Sequence, residues 1–374
     1  METMKLGVVG VGGMGGNHCT TIVEMPQAQL TAVSDVSAEM AQKVAGETGA
    51  QPFTDYETMI REAGLDGVII ATPHYFHPPM AEYAARHGVH VLSEKPIAVS
   101  VQAADAMVKT CREAGVLLGL MFQQRLDARH LKIKQMLDAG ILGPLHRISM
   151  SVPWYRSQAY YDSGAWRGTW KGEGGGILMN QAPHSIDQFL WLGGEPHTVQ
   201  SIAQTRLHKI EVENTSLSIL DYGTGQVGSF YVSSAEITTG EVIEISGDLG
   251  ALELRDGQLR HFELKESLSD HLRESSERFA GPEGEWRDIE IEEESGGTRE
   301  VIERFVAAVQ NNDKSLLVAS GEDGLRALEL ANAMLLAGYT RQEVELPLNR
   351  DQFETMLKQL QEGAKPLDFR GQDI

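Results

Sequence analysis

The chain has 374 residues, with 53 acidic and 32 basic side chains and a formal net charge of −21. That excess excludes nucleic acid and anionic membrane surfaces as main ligands, because both need a face rich in lysine and arginine. Hydrophobic residues make up 41% of the chain and no apolar run nears the about 18 residues of a membrane span; the chain is globular and its length suggests two or three domains.

Two cysteines, Cys19 and Cys111, are too few for a disulfide framework or a cysteine-rich zinc centre. They suit a reducing compartment, and a cytoplasmic location is expected. Lys5 followed by Leu6 to Val11 has the look of a signal peptide, but glycines interrupt it at once and it reads as a first strand.

From the N-terminus, Lys5 to Gly10 reads as a strand and Met14 to Glu24 as a helix. Leu30 to Ser34, Gly67 to Ala71, Val89 to Leu92 and Val116 to Met121 read as further strands. Helical patterns cover Ala38 to Thr48, Tyr56 to Glu62, Pro79 to His87 and Val101 to Ala114. Strands alternating with helices predict an α/β domain with a doubly wound parallel sheet over residues 1–124. After Arg125 the rhythm changes. A helix over Ala128 to Ala139 precedes strands at 145–152, 199–205, 215–220, 226–233, 242–246, 251–254 and 259–264. Asp256-Gly257 reads as a hairpin turn. Strands in series predict an open, mostly antiparallel sheet. Helices return at 298–310 and 321–338, giving an α+β domain over 125–374. The polar stretch Glu266 to Gly297, with Glu290, Glu292, Glu293 and Glu294, reads as a solvated excursion.

Gly10-Val11-Gly12-Gly13-Met14-Gly15 fits the dinucleotide pattern G-x-G-x-x-G between a strand and a helix. Gly10 permits the tight turn, Gly12 lets backbone approach a pyrophosphate, and Gly15 allows close helix packing. Asp35 ends the second strand at the position of a ribose-binding carboxylate; a turn or cap role is the competing reading. Its charge opposes a ribose 2′-phosphate, and no arginine stands between Val36 and Gln42, so NAD is expected rather than NADP.

Two segments extend the pattern: Ala71-Thr72-Pro73-His74-Tyr75-Phe76-His77 after one strand, and Glu94-Lys95-Pro96 after the next. A third runs from Gly174-Gly175-Gly176 through Asn180 and His184 to Asp187. Together with the glycine loop, in this order, the chain resembles the glucose–fructose oxidoreductase / inositol dehydrogenase family (Gfo/Idh/MocA) along essentially its whole length. The resemblance implies a Rossmann domain, a second domain on an open antiparallel sheet, and a nicotinamide cofactor between them. It implies a sugar, cyclitol or glycoside substrate, and a homodimer or homotetramer formed through the open sheet. Gly10, Gly12, Gly13, Met14, Asp35, Thr72, Pro73, His74, His77, Glu94, Lys95, Gln123, Trp166 and Arg167 are the expected cofactor contacts.

In this family the lysine of Glu-Lys-Pro is the acid/base. Lys95 follows the C-terminal end of a parallel strand, where burial and a cationic ring would lower its pKa. Asn180, His184 and Asp187 are spaced to share one helical face. Asn180 stands where the family has an aspartate, and an amide cannot take a proton, so it is expected to orient substrate or to cap a helix. His184 is then the expected partner of Lys95. Asp187 either fixes the His184 tautomer or pairs locally. Arg125 is read as a substrate contact or an interdomain ion pair. No metal site is expected from His74, His77, His18 or His130.

Residues 154–170 carry three of the five tryptophans and three of the nine tyrosines. Tyr155 and Arg156 are expected to line a sugar pocket; an aromatic mini-core is the alternative. The expected reaction is hydride transfer at a secondary hydroxyl or carbonyl. A hydrolase using transient oxidation of a glycoside and a non-catalytic NAD-linked sensor are the alternatives.

Overall fold

The computed structural model describes residues 3–237, 240–291 and 294–369. In chain order its elements begin β1 (Met4–Val9), α1 (Gly13–Val23), β2 (Ala28–Ser34), α2 (Ala38–Thr48), β3 (Gln51–Phe53), α3 (Tyr56–Glu62), β4 (Gly67–Ile70), α4 (His77–Arg86), β5 (His90–Ser93), α5 (Val101–Ala114) and β6 (Leu118–Leu120). They continue α6 (Ala128–Asp138), β7 (Leu145–Pro153), α7 (Gln158–Tyr161), α8 (Trp170–Glu173), α9 (Ile177–Asn180), α10 (Pro183–Gly193), β8 (Thr198–Gln204), β9 (Thr215–Asp221) and β10 (Val227–Ser233). The remainder is β11 (Val242–Gly247), β12 (Gly250–Arg255), β13 (Gln258–Leu264), α11 (Leu268–Glu274), β14 (Gly284–Ile289), α12 (Thr298–Asn311), α13 (Gly321–Thr340), β15 (Val344–Glu345) and α14 (Arg350–Gln361).

The chain divides into two compact units. The first holds the chain up to Leu126, Gly172–Gly174 and Gly296–Leu328; the second holds Asp127–Lys171, Gly175–Ser295 and the chain from Glu329 on.

The first unit is a six-stranded parallel sheet in the order β3-β2-β1-β4-β5-β6. Its central strands are short apolar runs because helices cover both faces: Leu6, Val8, Val68, Ile69 and Val91 are fully buried. Helix ends follow local chemistry. Ser37 Oγ accepts the Met40 N–H at 3.3 Å at the start of α2, and Gly49, at φ +79°, closes it in the left-handed region.

One helix expected in the second domain belongs here. On α12, Val301, Ile302, Phe305 and Val306 are buried in a core with Met4, Leu6 and Ile22. Each large apolar side chain sealed this way contributes about 1.5–3 kcal/mol. An amphipathic pattern marks the helix and its buried face but not the sheet it covers, so chain order alone misassigned it.

The second unit is a nine-stranded sheet in the order β14-β13-β12-β11-β7-β10-β9-β8-β15. The pair β7–β10 is parallel; the other neighbouring strands pair antiparallel. The expected hairpin is present, with Asp256 at φ 52° and Gly257 at φ 78°, both left-handed. The inner face buries Ile148, Met150, Phe230 and Ile245, with Phe189 of α10 edge-on to Phe230 at 5.5 Å. The outer face leaves Ile202, Leu217, Ile219 and Val227 exposed.

The stretch 266–297 is not only a solvated excursion. It forms α11 and then β14, which adds an edge strand to β13. Most of β14 is exposed and carries Glu285, Arg287 and Asp288, a polar edge whose sequence shows no buried face. Glu292 and Glu293 of the acidic run lie outside the described residues. Among the described residues, no helix is long and apolar enough to cross a membrane.

Candidate functional site

In the first unit the candidate residues gather at the C-terminal ends of the parallel strands. Gly10 follows β1, Asp35 follows β2, Thr72 and Pro73 follow β4, Glu94 and Lys95 follow β5, and Gln123 follows β6. The strand order reverses direction between β1 and β4, and the crevice outside that switch point is where open α/β sheets bind ligands.

The glycines divide into two kinds. Gly10 has φ +80°, and a Cβ there would meet the Ala71 carbonyl oxygen at 2.8 Å and the Thr72 methyl at 2.9 Å. A Cβ on Gly15 would lie 1.8 Å from the Gly10 carbonyl oxygen and 3.3 Å from Ala71 Cβ. Gly12 and Gly13 face open space. Gly10 and Gly15 therefore serve the fold of the loop, while Gly12 and Gly13 leave its outer side bare for a ligand. Helix α1 starts at Gly13 with no side-chain cap, and Met14 is 49% exposed beside it. The first N–H groups of α1 are thus disposed to receive an anion.

Asp35 performs the turn role before the Ser37 cap and holds the loop as well. Its Oδ1 accepts the Ser37 N–H at 2.9 Å, and its Oδ2 accepts the Val11 N–H at 3.0 Å. The glycine loop is tied to the end of β2 through this carboxylate.

The peptide between Lys95 and Pro96 is cis. Glu94 is buried, and its Oε2 accepts the Lys95 backbone N–H at 3.2 Å. Lys95 is half-buried at the end of β5. His74 and His77, expected over a cofactor, lie buried inside the unit instead. His74 Nδ1 is 3.1 Å from the Glu173 carbonyl. His77 has Nδ1 at 2.8 Å from the Pro96 carbonyl and Nε2 at 2.7 Å from the Thr72 carbonyl. Its first-turn position in α4 turns the ring inward, and both nitrogens are occupied by backbone. Burial pushes its pKa below the usual histidine value, against the opposing pull of the two carbonyls.

Arg125 is engaged within the first unit. Its Nη1 donates to the Val318 carbonyl at 3.2 Å and its Nη2 pairs with Asp323 Oδ1 at 3.4 Å. The ion-pair reading has its partner, and the pair lies inside one unit. Asp323 is held below the usual carboxylate range: burial alone would raise it, and Arg125 with the Ser320 donors lowers it. Gln123 keeps a buried Oε1 with no hydrogen-bond partner at the end of β6.

In the second unit Asn180, His184 and Asp187 do not lie on one unbroken helix. Asn180 is the last residue of α9, and Gln181-Ala182 form a turn before α10 begins at Pro183. The N-cap of α10 is Ala182, so Asn180 is not that cap. His184 is 6% and Asp187 2% exposed, whereas Asn180 is half-buried.

A buried carboxylate unseen in the sequence organises this turn. Glu213 accepts the Gly176 N–H at 2.9 Å on each oxygen and the Leu178 N–H at 3.0 Å. A Cβ on Gly176 would fall 1.7 Å from the Glu213 carbonyl oxygen, which explains one of the three successive glycines. Nothing around Glu213 in the sequence signals it; the glycine triplet is the visible trace.

The aromatic stretch divides between both readings. Tyr161 and Trp170 are core, with Tyr161 hydrogen-bonded to Ser234 at 2.7 Å and Trp170 edge-on to Tyr339 at 5.3 Å. Tyr155 is exposed. The guanidinium groups of Arg156 and Arg167 lie 5.2 and 4.5 Å from the Tyr160 ring, and Arg167 is also 4.4 Å from Trp166. Tyr160 Oη receives Arg167 Nη1 at 2.7 Å and Gln181 Nε2 at 3.1 Å, which links this cluster to the turn beside Asn180.

The first unit fits a dinucleotide on three counts: a bare glycine surface, an uncapped helix start, and an orphaned amide oxygen at Gln123. Among the described residues no group of three or more His, Cys, Asp or Glu side chains is placed to hold a metal.

Comparison with known proteins agrees with this geometry. Residues 4–122 match the model of the oxidoreductase family with NAD-binding Rossmann fold, GFO_IDH_MocA, and residues 130–253 match the GFO/IDH/MocA C-terminal domain. An inositol 2-dehydrogenase of Rubrobacter xylanophilus is 30% identical over 260 residues, covering 68% of this chain and 72% of that protein. A 2,7-anhydro-N-acetylneuraminate hydratase of Mediterraneibacter gnavus is 28% identical over 71% of this chain and 74% of its own. The crystal structure of the WlbA dehydrogenase of Bordetella pertussis, in complex with NADH and UDP-GlcNAcA, is 28% identical with a TM-score of 0.79, covering 93% of this chain and 100% of that one.

Proposed function

The chain belongs to the Gfo/Idh/MocA oxidoreductase family, and on that premise we propose that it transfers a hydride between NAD and a secondary hydroxyl or carbonyl carbon of a sugar or cyclitol. The observation that carries this reading is the gathering of the bare glycine loop, Asp35, Gln123 and Lys95 at the C-terminal ends of one parallel sheet. The relatives' names supply the substrate class.

NAD, when bound, accepts or donates the hydride, so the protein has to hold the reactants and manage one proton. Gly12, Gly13 and the start of α1 hold the pyrophosphate, and Asp35 holds the adenosine ribose. Gln123, with its amide oxygen free of protein donors, contacts the nicotinamide end. Thr72 and Pro73, at the end of β4 next to β1, add cofactor contacts beside the glycine loop. Lys95 takes the hydroxyl proton in oxidation and returns it in reduction. His184 relays that proton, and Asn180 orients substrate hydroxyls as donor and acceptor. Of the aromatic cluster, Tyr155 and Arg156 are assigned to the substrate, and Trp166 and Arg167 to the cofactor. His74, His77 and Arg125, each engaged in the interior, act by supporting the site.

We read the outer face of the nine-stranded sheet as the contact with a second copy of the chain. Ile202 lies opposite Leu217, and Ile219 and Val227 continue the exposed apolar patch.

The deciding experiment measures NADH formation at 340 nm across inositols, aldoses, anhydrosugars and glycosides, with each mixture also analysed for products. NADH formation from one class supports the dehydrogenase. Products without net NADH favour a reaction closing on a transient oxidation, a second reading favoured by Asn180 in place of the family's aspartate. No product from any class, with no NAD binding, overturns both.

A further inference from the structure

Helix α1 carries one more polar side chain on its buried face. Gly15, His18 and Ile22 lie at positions i, i+3 and i+7 and are all buried, so His18 points into the unit from one turn beyond the glycine loop. His18 is fully buried, and its Nε2 lies 2.9 Å from Glu94 Oε1. The other ring nitrogen, Nδ1, is buried with no hydrogen-bond partner. A stranded N–H costs about 1–3 kcal/mol, more than a stranded lone pair, so the proton sits on Nε2 and the ring donates to the Glu94 carboxylate.

Glu94 passes that constraint along. Its second oxygen accepts the Lys95 backbone N–H. On the far side of the segment, the Pro96 carbonyl is held by His77 from α4. Each of the three residues is thus fixed at a different atom, and the link through His18 starts on the helix that opens at the glycine loop. The groups facing the segment include His18 from α1 and His77 from α4, with the His74 ring 6.1 Å from that of His77.

We propose that His18 is a positioning residue for Lys95: through Glu94, which accepts the Lys95 backbone N–H, it fixes the backbone from which the lysine reaches substrate, and it tempers the negative field of the carboxylate on that preceding residue. The inference rests on the acid/base reading of Lys95. It does not need His18 to touch substrate or cofactor.

The test compares wild type, His18→Leu, His18→Gln and Lys95→Met, using the substrate found in the panel. kcat is followed against pH, NADH affinity is measured by fluorescence titration, and folding is checked by thermal melting. His18→Leu should lower kcat about tenfold or more while NADH affinity changes less than about threefold. With Glu94 deprived of the His18 donor, the ammonium form of Lys95 gains stability, so the acid limb of the kcat profile for oxidation moves to higher pH. His18→Gln keeps an N–H near the position of Nε2 and should restore most of the rate and the limb. If His18→Leu does not fold, His18→Asn, whose amide falls short of Glu94, takes its place with the same expectation. A folded variant with unchanged kcat and an unmoved limb overturns the proposal. So does a loss of NADH affinity in proportion to kcat, which would place His18 in service of the glycine loop. Undiminished turnover in Lys95→Met would instead remove the premise, whatever the His18 variants do.

Discussion

The carboxylate of Asp35 accepts the N–H of Val11 at 3.0 Å, so the end of β2 and the glycine loop after β1 are joined by one side chain. With the ribose role proposed for Asp35, that side chain sets both the shape of the loop and the choice of cofactor. Asp35→Ser should cut kcat/KM for NAD about tenfold or more and narrow the preference over NADP, because the charge opposing a 2′-phosphate is gone. Side-by-side kinetics with the two cofactors check this. A wild type that prefers NADP would sink the reading.

Gly12 and Gly15 belong to one motif but should fail differently. Gly15→Ala forces a Cβ to within 1.8 Å of the Gly10 carbonyl oxygen, and backbone has to give. Overpacking of this kind costs about 1–3 kcal/mol or more. Gly12→Ala enters open space and should leave the melting temperature nearly unchanged while weakening NAD binding. Thermal melts paired with NADH titrations separate the two, and equal destabilisation by both changes would contradict the assignment.

Lys95→Met should lower turnover about 10²–10⁴-fold, the range for loss of a general acid or base, with NAD affinity retained. Single-turnover hydride transfer monitored at 340 nm isolates the step. Retained turnover would take the lysine out of the proton path.

How far the sequence reaches can be seen at particular residues. β4 and α5 were plain because a four-residue apolar run and a strong 3.6-residue period each admit one reading. β3 was invisible: Pro52 sits in the middle of a three-residue edge strand, which shows neither alternation nor an apolar run. The glycine loop and Asp35 stand out by local spacing, whereas Lys95 stands out only through the Glu-Lys-Pro segment shared with the family. His18 and Glu213 were not, since each works on a partner far along the chain, Glu94 and Gly176. The turn at Gln181-Ala182 was hidden for the opposite reason, as its residues carry no breaker before Pro183 and Pro183 itself suits a first helical turn.

The outer sheet face offers a mechanical test. Ile219 is 61% exposed with Leu217 two residues before it on the same face. Ile219→Glu on a solvent-facing monomer surface is nearly neutral, but it places a charge in the centre of an apolar contact. Light scattering should show a larger species for wild type and a shift toward monomer for the variant, with melting of the single chain little changed. A wild type that is monomeric at micromolar concentration would remove this contact.

His77 ties stability to pH with a definite sign. Its folded pKa lies below the ordinary 6.5 because burial penalises the charged ring. Above pH 6.5 the ring is neutral in both states and its contribution is complete. As pH falls through 6.5 the unfolded chain takes up the proton first, so stability declines until the folded ring also charges, with a limiting slope of about 1.4 kcal/mol per pH unit for one proton. His90, also lowered by burial, acts in the same direction. His77→Asn cannot titrate and keeps an amide between the two carbonyls. It should be less stable at neutral pH, yet lose stability less steeply between pH 7 and pH 5. Urea denaturation of both proteins across that window gives the two slopes, and parallel slopes would show that the ring takes up its proton equally in both states.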